Sequence, residues 1–151
     1  MAPLKGGGAP AAARLPPHGQ VVCRGPTHRP AVAFTFDDGP DPRTTLQVAS
    51  TLEQAGARGT FFALAAKAVR CGWVVQELTA RGHEVALHGF SHRPLWTMGL
   101  RATTQQLRRA VETLEELTGR PVRYYRPPWG HVTAGALRAA EQLGLRVVLW
   151  T

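Results

Sequence analysis

At 151 residues, 44% of them hydrophobic, the chain is long enough to bury one sizeable core and too short for two ordinary domains. Its formal charge of +8 comes from 18 basic and 10 acidic side chains, but the basic residues are scattered. No zinc-finger, RNA-binding or aromatic-basic motif accompanies them, so a specific nucleic-acid partner is not expected. Cys23 and Cys71 form no CxxC pair and no disulfide framework, and neither a secretory signal nor a transmembrane stretch is visible, which leaves compartment and oligomeric state open.

Residues 1–29 are rich in Gly, Pro and Ala without a sustained period and read as a flexible arm, which leaves residues 30–151 as the folded domain. Residues 31–36 form a short apolar strand that gives way to Asp37 and Asp38. Two adjacent carboxylates repel unless a cation or a proton relieves them, so this strand end is a candidate metal or acid–base site. Asp41 is placed to cap a helix starting at Pro42, with Leu46, Ala49 and Leu52 on its buried side and Gly56 at its end.

A second strand is expected over 59–65, a helix over 66–81 stopped by Gly82, and a third strand over 84–87 leading into His88. The clearest helix runs over 100–118, where Leu107, Val111, Leu114 and Thr118 recur at three- and four-residue steps before Gly119. Residues 123–125 form a fourth strand ended by Pro127 and Pro128; a helix over 134–142 closes at Gly144, and 147–150 is a fifth strand. Strands separated by helices of this length imply βα units around a parallel sheet. Asp37, Asp38, His88 and Arg126 all fall where a strand ends, which is the C-terminal rim where α/β sites form.

His88 and His92, four residues apart, can point at one ion from a turn or compact loop. With one carboxylate they make a two-nitrogen, one-oxygen set that leaves coordination positions open for water or substrate. Arg126 either holds a carboxylate in bidentate geometry or anchors the proline-rich turn that follows it. His18 and His28 lie in the arm and are not expected to be ligands, and His83 reads as a surface or supporting residue. Trp129 follows the arginine loop and is suited to stacking on a sugar or lining a groove. Trp96 is either another wall of that groove or, with more weight, a packing residue, and Trp73 is expected to pack on its helix.

Thr35-Phe36-Asp37-Asp38-Gly39-Pro40, His88-Gly89-Phe90-Ser91-His92 and Tyr125-Arg126-Pro127-Pro128-Trp129-Gly130 resemble, in order, the first three motifs of the NodB-homology polysaccharide deacetylases, carbohydrate esterase family 4. The resemblance implies a distorted (β/α) barrel of seven or eight strands, of which about five parallel strands are placed here. It implies a divalent metal, zinc with cobalt as the alternative, held by Asp38, His88 and His92. Asp37 corresponds to the general base and Arg126 to the residue that orients it, while Pro127, Trp129 and Gly130 correspond to the substrate loop, with a backbone N–H near Trp129 facing the oxyanion. The implied activity is removal of acetyl groups from N-acetylglucosamine-containing or other acetylated polysaccharides or oligosaccharides, by hydrolysis of a carbon–nitrogen bond outside a peptide.

Three features depart from the pattern. Leu87 stands where the family commonly has Asn, and Gly89 where it has Ser or Thr, so the metal loop has less polar support. The family's aspartate-tryptophan motif and C-terminal acid histidine are expected beyond Thr151, and His131 is a poor substitute for that acid. An incomplete barrel with an exposed edge is therefore expected. The rival reading is a catalytically impaired carbohydrate-binding or structural remnant that keeps the metal site.

Overall fold

Apolar runs of four to six residues alternate along this chain with helices that carry one apolar stripe, and such a chain buries both by laying the helices against a parallel sheet. The computed structural model describes residues 21–25, 28 and 30–150. Its strands are β1 (Val21–Val22), β2 (Phe34–Gly39), β3 (Gly59–Ala63), β4 (Glu84–Leu87), β5 (Tyr124–Tyr125) and β6 (Arg146–Val148), all paired in parallel in the order β1-β6-β5-β4-β3-β2. The helices are α1 (Thr45–Gln54), α2 (Ala65–Arg70), α3 (Gly72–Ala80), α4 (Leu100–Thr118) and α5 (Ala134–Gln142), with short 3-10 turns at Leu95–Thr97 and Pro128–Gly130.

Strand periodicity decides which side chains meet the helices. Phe61 and Ala63 of β3, Val85 and Leu87 of β4, Tyr125 of β5 and Val147 of β6 join Leu107, Val111 and Leu114 of α4 in one buried cluster. Burying a leucine such as Leu107 contributes about 2 kcal/mol relative to leaving it in water. The alternate residues of the strands point to the opposite face of the sheet. Phe62 and Arg126 meet there, with the guanidinium 4.0 Å from the ring centroid.

Several local expectations are corrected. The sheet has six strands where five were expected, because Val21–Val22, inside the segment read as an arm, pairs with Val147 and Val148. Residues 1–20, the rest of that arm up to this strand, and His18 with them, lie outside the described residues. The strand expected over 31–36 instead spans Phe34–Gly39 and carries both aspartates within it. Asp41 does cap, but one turn earlier than α1: its Oδ1 accepts from the backbone N–H of Arg43 and of Thr44, each at 2.9 Å.

The single helix expected over 66–81 is two, broken at Cys71, whose φ of −141° is not helical. Gly72 opens α3 where it meets α4, and a Cβ there would stand 2.7 Å from a methyl of Leu117. Trp73, expected to pack, is exposed. His83, expected at the surface or in a supporting role, is buried and supports the sheet: Nδ1 accepts from the Gly59 N–H at 3.1 Å and Nε2 pairs with Glu53 Oε1 at 3.1 Å.

Candidate active site and metal centre

On a regular strand Asp37 and Asp38 would point to opposite faces and could not share a site. The pairing of β2 with β3 breaks between them: Asp37 lies opposite Phe62 and Gly39 opposite Ala63, which leaves Asp38 as an unpaired bulge residue. Asp38 has φ +66°, a left-handed conformation that aspartate adopts more readily than most residues. The bulge is tied to the next layer on both sides. Lys67 Nζ of α2 donates to the Asp38 carbonyl at 2.7 Å, and the Leu64 N–H donates to the Gly39 carbonyl at 2.8 Å.

The two carboxylates then have separate partners. Asp37 Oδ1 accepts from Arg126 Nη1 at 2.7 Å, and the same nitrogen donates to Thr35 Oγ1 at 3.0 Å. Arg126 Nε donates to the Val148 carbonyl at 3.3 Å. The contact with Asp37 is one hydrogen bond, so the bidentate pairing weighed from the sequence is not what holds it. The guanidinium instead spreads its donors over two strands while its face lies on Phe62 and 5.2 Å from the Trp150 ring.

Asp38 Oδ1 faces both histidines, 3.7 Å from His88 Nε2 and 3.5 Å from His92 Nε2. His88 is fully buried just past β4, and its Nδ1 lies 2.7 Å from the Arg126 carbonyl. A carbonyl only accepts, so the proton sits on Nδ1 and the Nε2 lone pair is turned toward Asp38. Burial lowers the His88 pKa, opposed by Asp37, by the bond to the Arg126 carbonyl and by Asp38. A metal ligand must be neutral imidazole, and that is the form burial favours.

The donor atoms of Asp38, His88 and His92 all lie within 4.8 Å of one another. Ligands of a tetrahedral zinc stand about 3.4 Å apart, a spacing set by bond lengths near 2.1 Å. The cluster therefore fits one divalent cation with small side-chain adjustments, and its mixed imidazole and carboxylate donors suit zinc or a neighbouring transition metal.

The third loop closes the site. Trp129 has φ +55°, an outlier for so large a residue, and its ring lies edge-on to His92 at a centroid distance of 4.1 Å. Pro127 leads into the short turn at Pro128–Gly130, within which the Gly130 and His131 N–H groups donate to the carbonyls of Pro127 and Pro128. Asp37, Asp38, His88, His92, Arg126 and the Trp129 loop are thus brought to one rim of the sheet.

Thr35, Phe62 and Lys67 belong to the same constellation and were not singled out from the sequence. Thr35 carried a signal, since it shares a strand face with Asp37 two residues on. Phe62 lies in an apolar strand run, whose composition points only to core. Lys67 carried none, because its contact depends on where α2 packs. Among the described residues, no helix is long and apolar enough to cross a membrane.

A parallel α/β sheet with an Asp-Asp bulge, two histidines after the third long strand and an arginine just past the next gathers three side chains that could hold one metal ion. The polysaccharide deacetylase family pattern matches residues 24–148, and the chain belongs to that family. It is 30% identical over 137 residues to a peptidoglycan-N-acetylglucosamine deacetylase of Bacillus cereus, covering 91% of this chain and 64% of the relative. It is 32% identical over 133 residues to a chitooligosaccharide deacetylase of Sinorhizobium fredii, covering 87% and 62%. The solved structure of a peptidoglycan N-acetylglucosamine deacetylase in complex with a naphthalenyl N-hydroxybenzamide superposes with a TM-score of 0.81 at 28% identity, covering 87% of this chain and 61% of the other. The chain therefore spans less than two thirds of the length of each of these relatives.

Proposed function

We propose that this protein is a metal-dependent deacetylase of N-acetylglucosamine-containing glycans, hydrolysing the acetamide carbon–nitrogen bond. The observation that carries the reading is the division of labour between the adjacent aspartates: Asp38 belongs to the histidine cluster and Asp37 to Arg126. Peptidoglycan and chitooligosaccharides, named for the two relatives, are the substrate class this reading adopts.

Asp38, His88 and His92 would hold the cation, which would supply Lewis-acid polarisation of the acetyl carbonyl and a more acidic water near neutral pH. Asp37 is the base that takes the proton from the attacking water, and Arg126 fixes the position of its carboxylate. The developing oxyanion needs a preorganised donor. Pro127 and Pro128 have no N–H, and those of Gly130 and His131 are used within the turn, which supports the Trp129 N–H in that role.

The departing amine must also be protonated. His131 stands against Trp96 at a ring distance of 4.6 Å rather than against the Asp38–His88–His92 cluster, which supports a second reading in which the chain binds glycan and metal without turning over. Acetate release from an N-acetylglucosamine oligomer with zinc or cobalt separates the two. Release that is abolished by Asp37→Asn and by chelation, and restored by added metal, supports the deacetylase. A folded protein that binds one equivalent of zinc yet releases no acetate supports the second reading and overturns the first.

A further inference from the structure

Beside the ligand cluster the rings form a file. His92 touches Trp129 at 4.1 Å, Trp129 lies 5.5 Å from Trp96, and Trp96 lies 4.6 Å from His131. The two tryptophans come from different loops, Trp96 after β4 and Trp129 after β5, and remain 49% and 51% exposed. Leaving two indoles half in water beside a polar site sacrifices burial that either would otherwise gain.

Trp96 is nevertheless held in place. It sits on the 3-10 turn Leu95–Thr97, whose first residue is buried in the core, and the Met98 N–H closes the turn onto the Leu95 carbonyl at 3.0 Å. His131 packs against the indole at 4.6 Å, so Trp96 is held from a second loop as well as by its own turn. The Trp96 and Trp129 planes are inclined by 63° and do not make one flat shelf. They offer faces to two successive groups.

A pyranose ring matches such a face. Its axial C–H bonds make one side apolar, while its hydroxyls radiate from the edge and stay in water, so it can cover an indole without stranding a polar group. We propose that Trp96, braced by His131, is a stacking subsite for the sugar ring next to the one held at the metal cluster, so that the ligand is a chain of pyranose rings rather than a single acetylated sugar. The position of the reacting sugar rests on the deacetylase reading; the stacking subsite itself requires only that the protein bind glycan.

The test is equilibrium binding of an N-acetylglucosamine pentamer by the full chain without added metal, followed by calorimetry and by tryptophan fluorescence. Wild type should bind. Trp96→Ala should bind about tenfold more weakly, the size of one lost aromatic stacking contact, and Trp96→Phe should recover most of the loss. Retained circular dichroism establishes that a variant is folded; if Trp96→Ala does not fold, Trp96→Phe and pentamer-induced change in wild-type fluorescence carry the test. Failure of wild type to bind the pentamer, or equal affinity in Trp96→Ala, overturns the subsite. Acetate release with equal affinity sinks the subsite and leaves the deacetylase standing, whereas Trp96-dependent binding without acetate release does the reverse.

Discussion

Arg126 Nη1 donates to Asp37 Oδ1 at 2.7 Å, a bond between residues 89 positions apart in the chain. The arginine side chain is 3% exposed and its other donors go to Thr35 and the Val148 carbonyl, so a single residue links β2, the end of β5 and β6. Lysine would keep the charge but not the planar fork. Arg126→Lys is expected to lower unfolding stability by about 1–3 kcal/mol. Arg126→Ala also leaves Asp37 without its cation, but Asp37 is partly solvated, so the expected loss is about 2–3 kcal/mol rather than that of a fully buried pair. Urea unfolding with wild-type stability in both variants would show that the link carries no energy.

Lys67 Nζ donates to the Asp38 carbonyl at 2.7 Å, so it holds the backbone of the carboxylate proposed as a metal ligand. Removing such outer support typically weakens metal binding by about 10–100-fold. Lys67→Met should lower zinc affinity by about tenfold, with Lys67→Arg recovering part of it. Competition against a chromophoric chelator reads this directly, and unchanged affinity in Lys67→Met contradicts it.

His83 lies at the other end of β4 from His88 and holds the entry to β3 by accepting the Gly59 N–H, while its ring stands edge-on to Phe61 at 5.4 Å. His83→Ala leaves a buried donor without a partner and removes packing, for an expected loss of about 2–3 kcal/mol. Zinc affinity should stay at the wild-type value. A thermal and chemical stability equal to wild type would mean that water or a shifted backbone replaces the imidazole.

Asp41 has its pKa lowered by the N–H groups of Thr44 and Arg43 and by the Thr44 hydroxyl. A carboxylate depressed in the folded state contributes stability that is present above its unfolded pKa and lost as pH falls through the folded value. The gap in melting temperature between wild type and Asp41→Ala should therefore be constant at neutral pH and shrink below about pH 4. A gap that widens on acidification would show that the turn is held by other contacts.

Much of this organisation was legible because alternating apolar runs report burial directly. The helix over 100–118 and the strand over 84–87 match α4 and β4, and Asp37, Asp38, His88, His92 and Arg126 meet at one rim because each lies near or just past the C-terminal end of a strand that points there. Less was legible where pairing rather than period decides. Val21 and Val22 are too short a run to signal a strand and become one only because β6 offers an unpaired edge. Residues 66–81 have a continuous helical composition, but the chain breaks at Cys71, and the new helix opens with Gly72 packed against Leu117.

Residue types and strand boundaries are local properties of the chain, so the sequence alone already placed two carboxylates, two imidazoles and a guanidinium at strand ends. Packing alone settled that Arg126 makes one bond to Asp37 rather than two, that Lys67 holds the backbone of Asp38, and that Trp96 and Trp129 stand together. Those relationships depend on the bulge in β2 and on loops from different strands meeting above the sheet, and no single segment encodes the position of a neighbour it has yet to pack against.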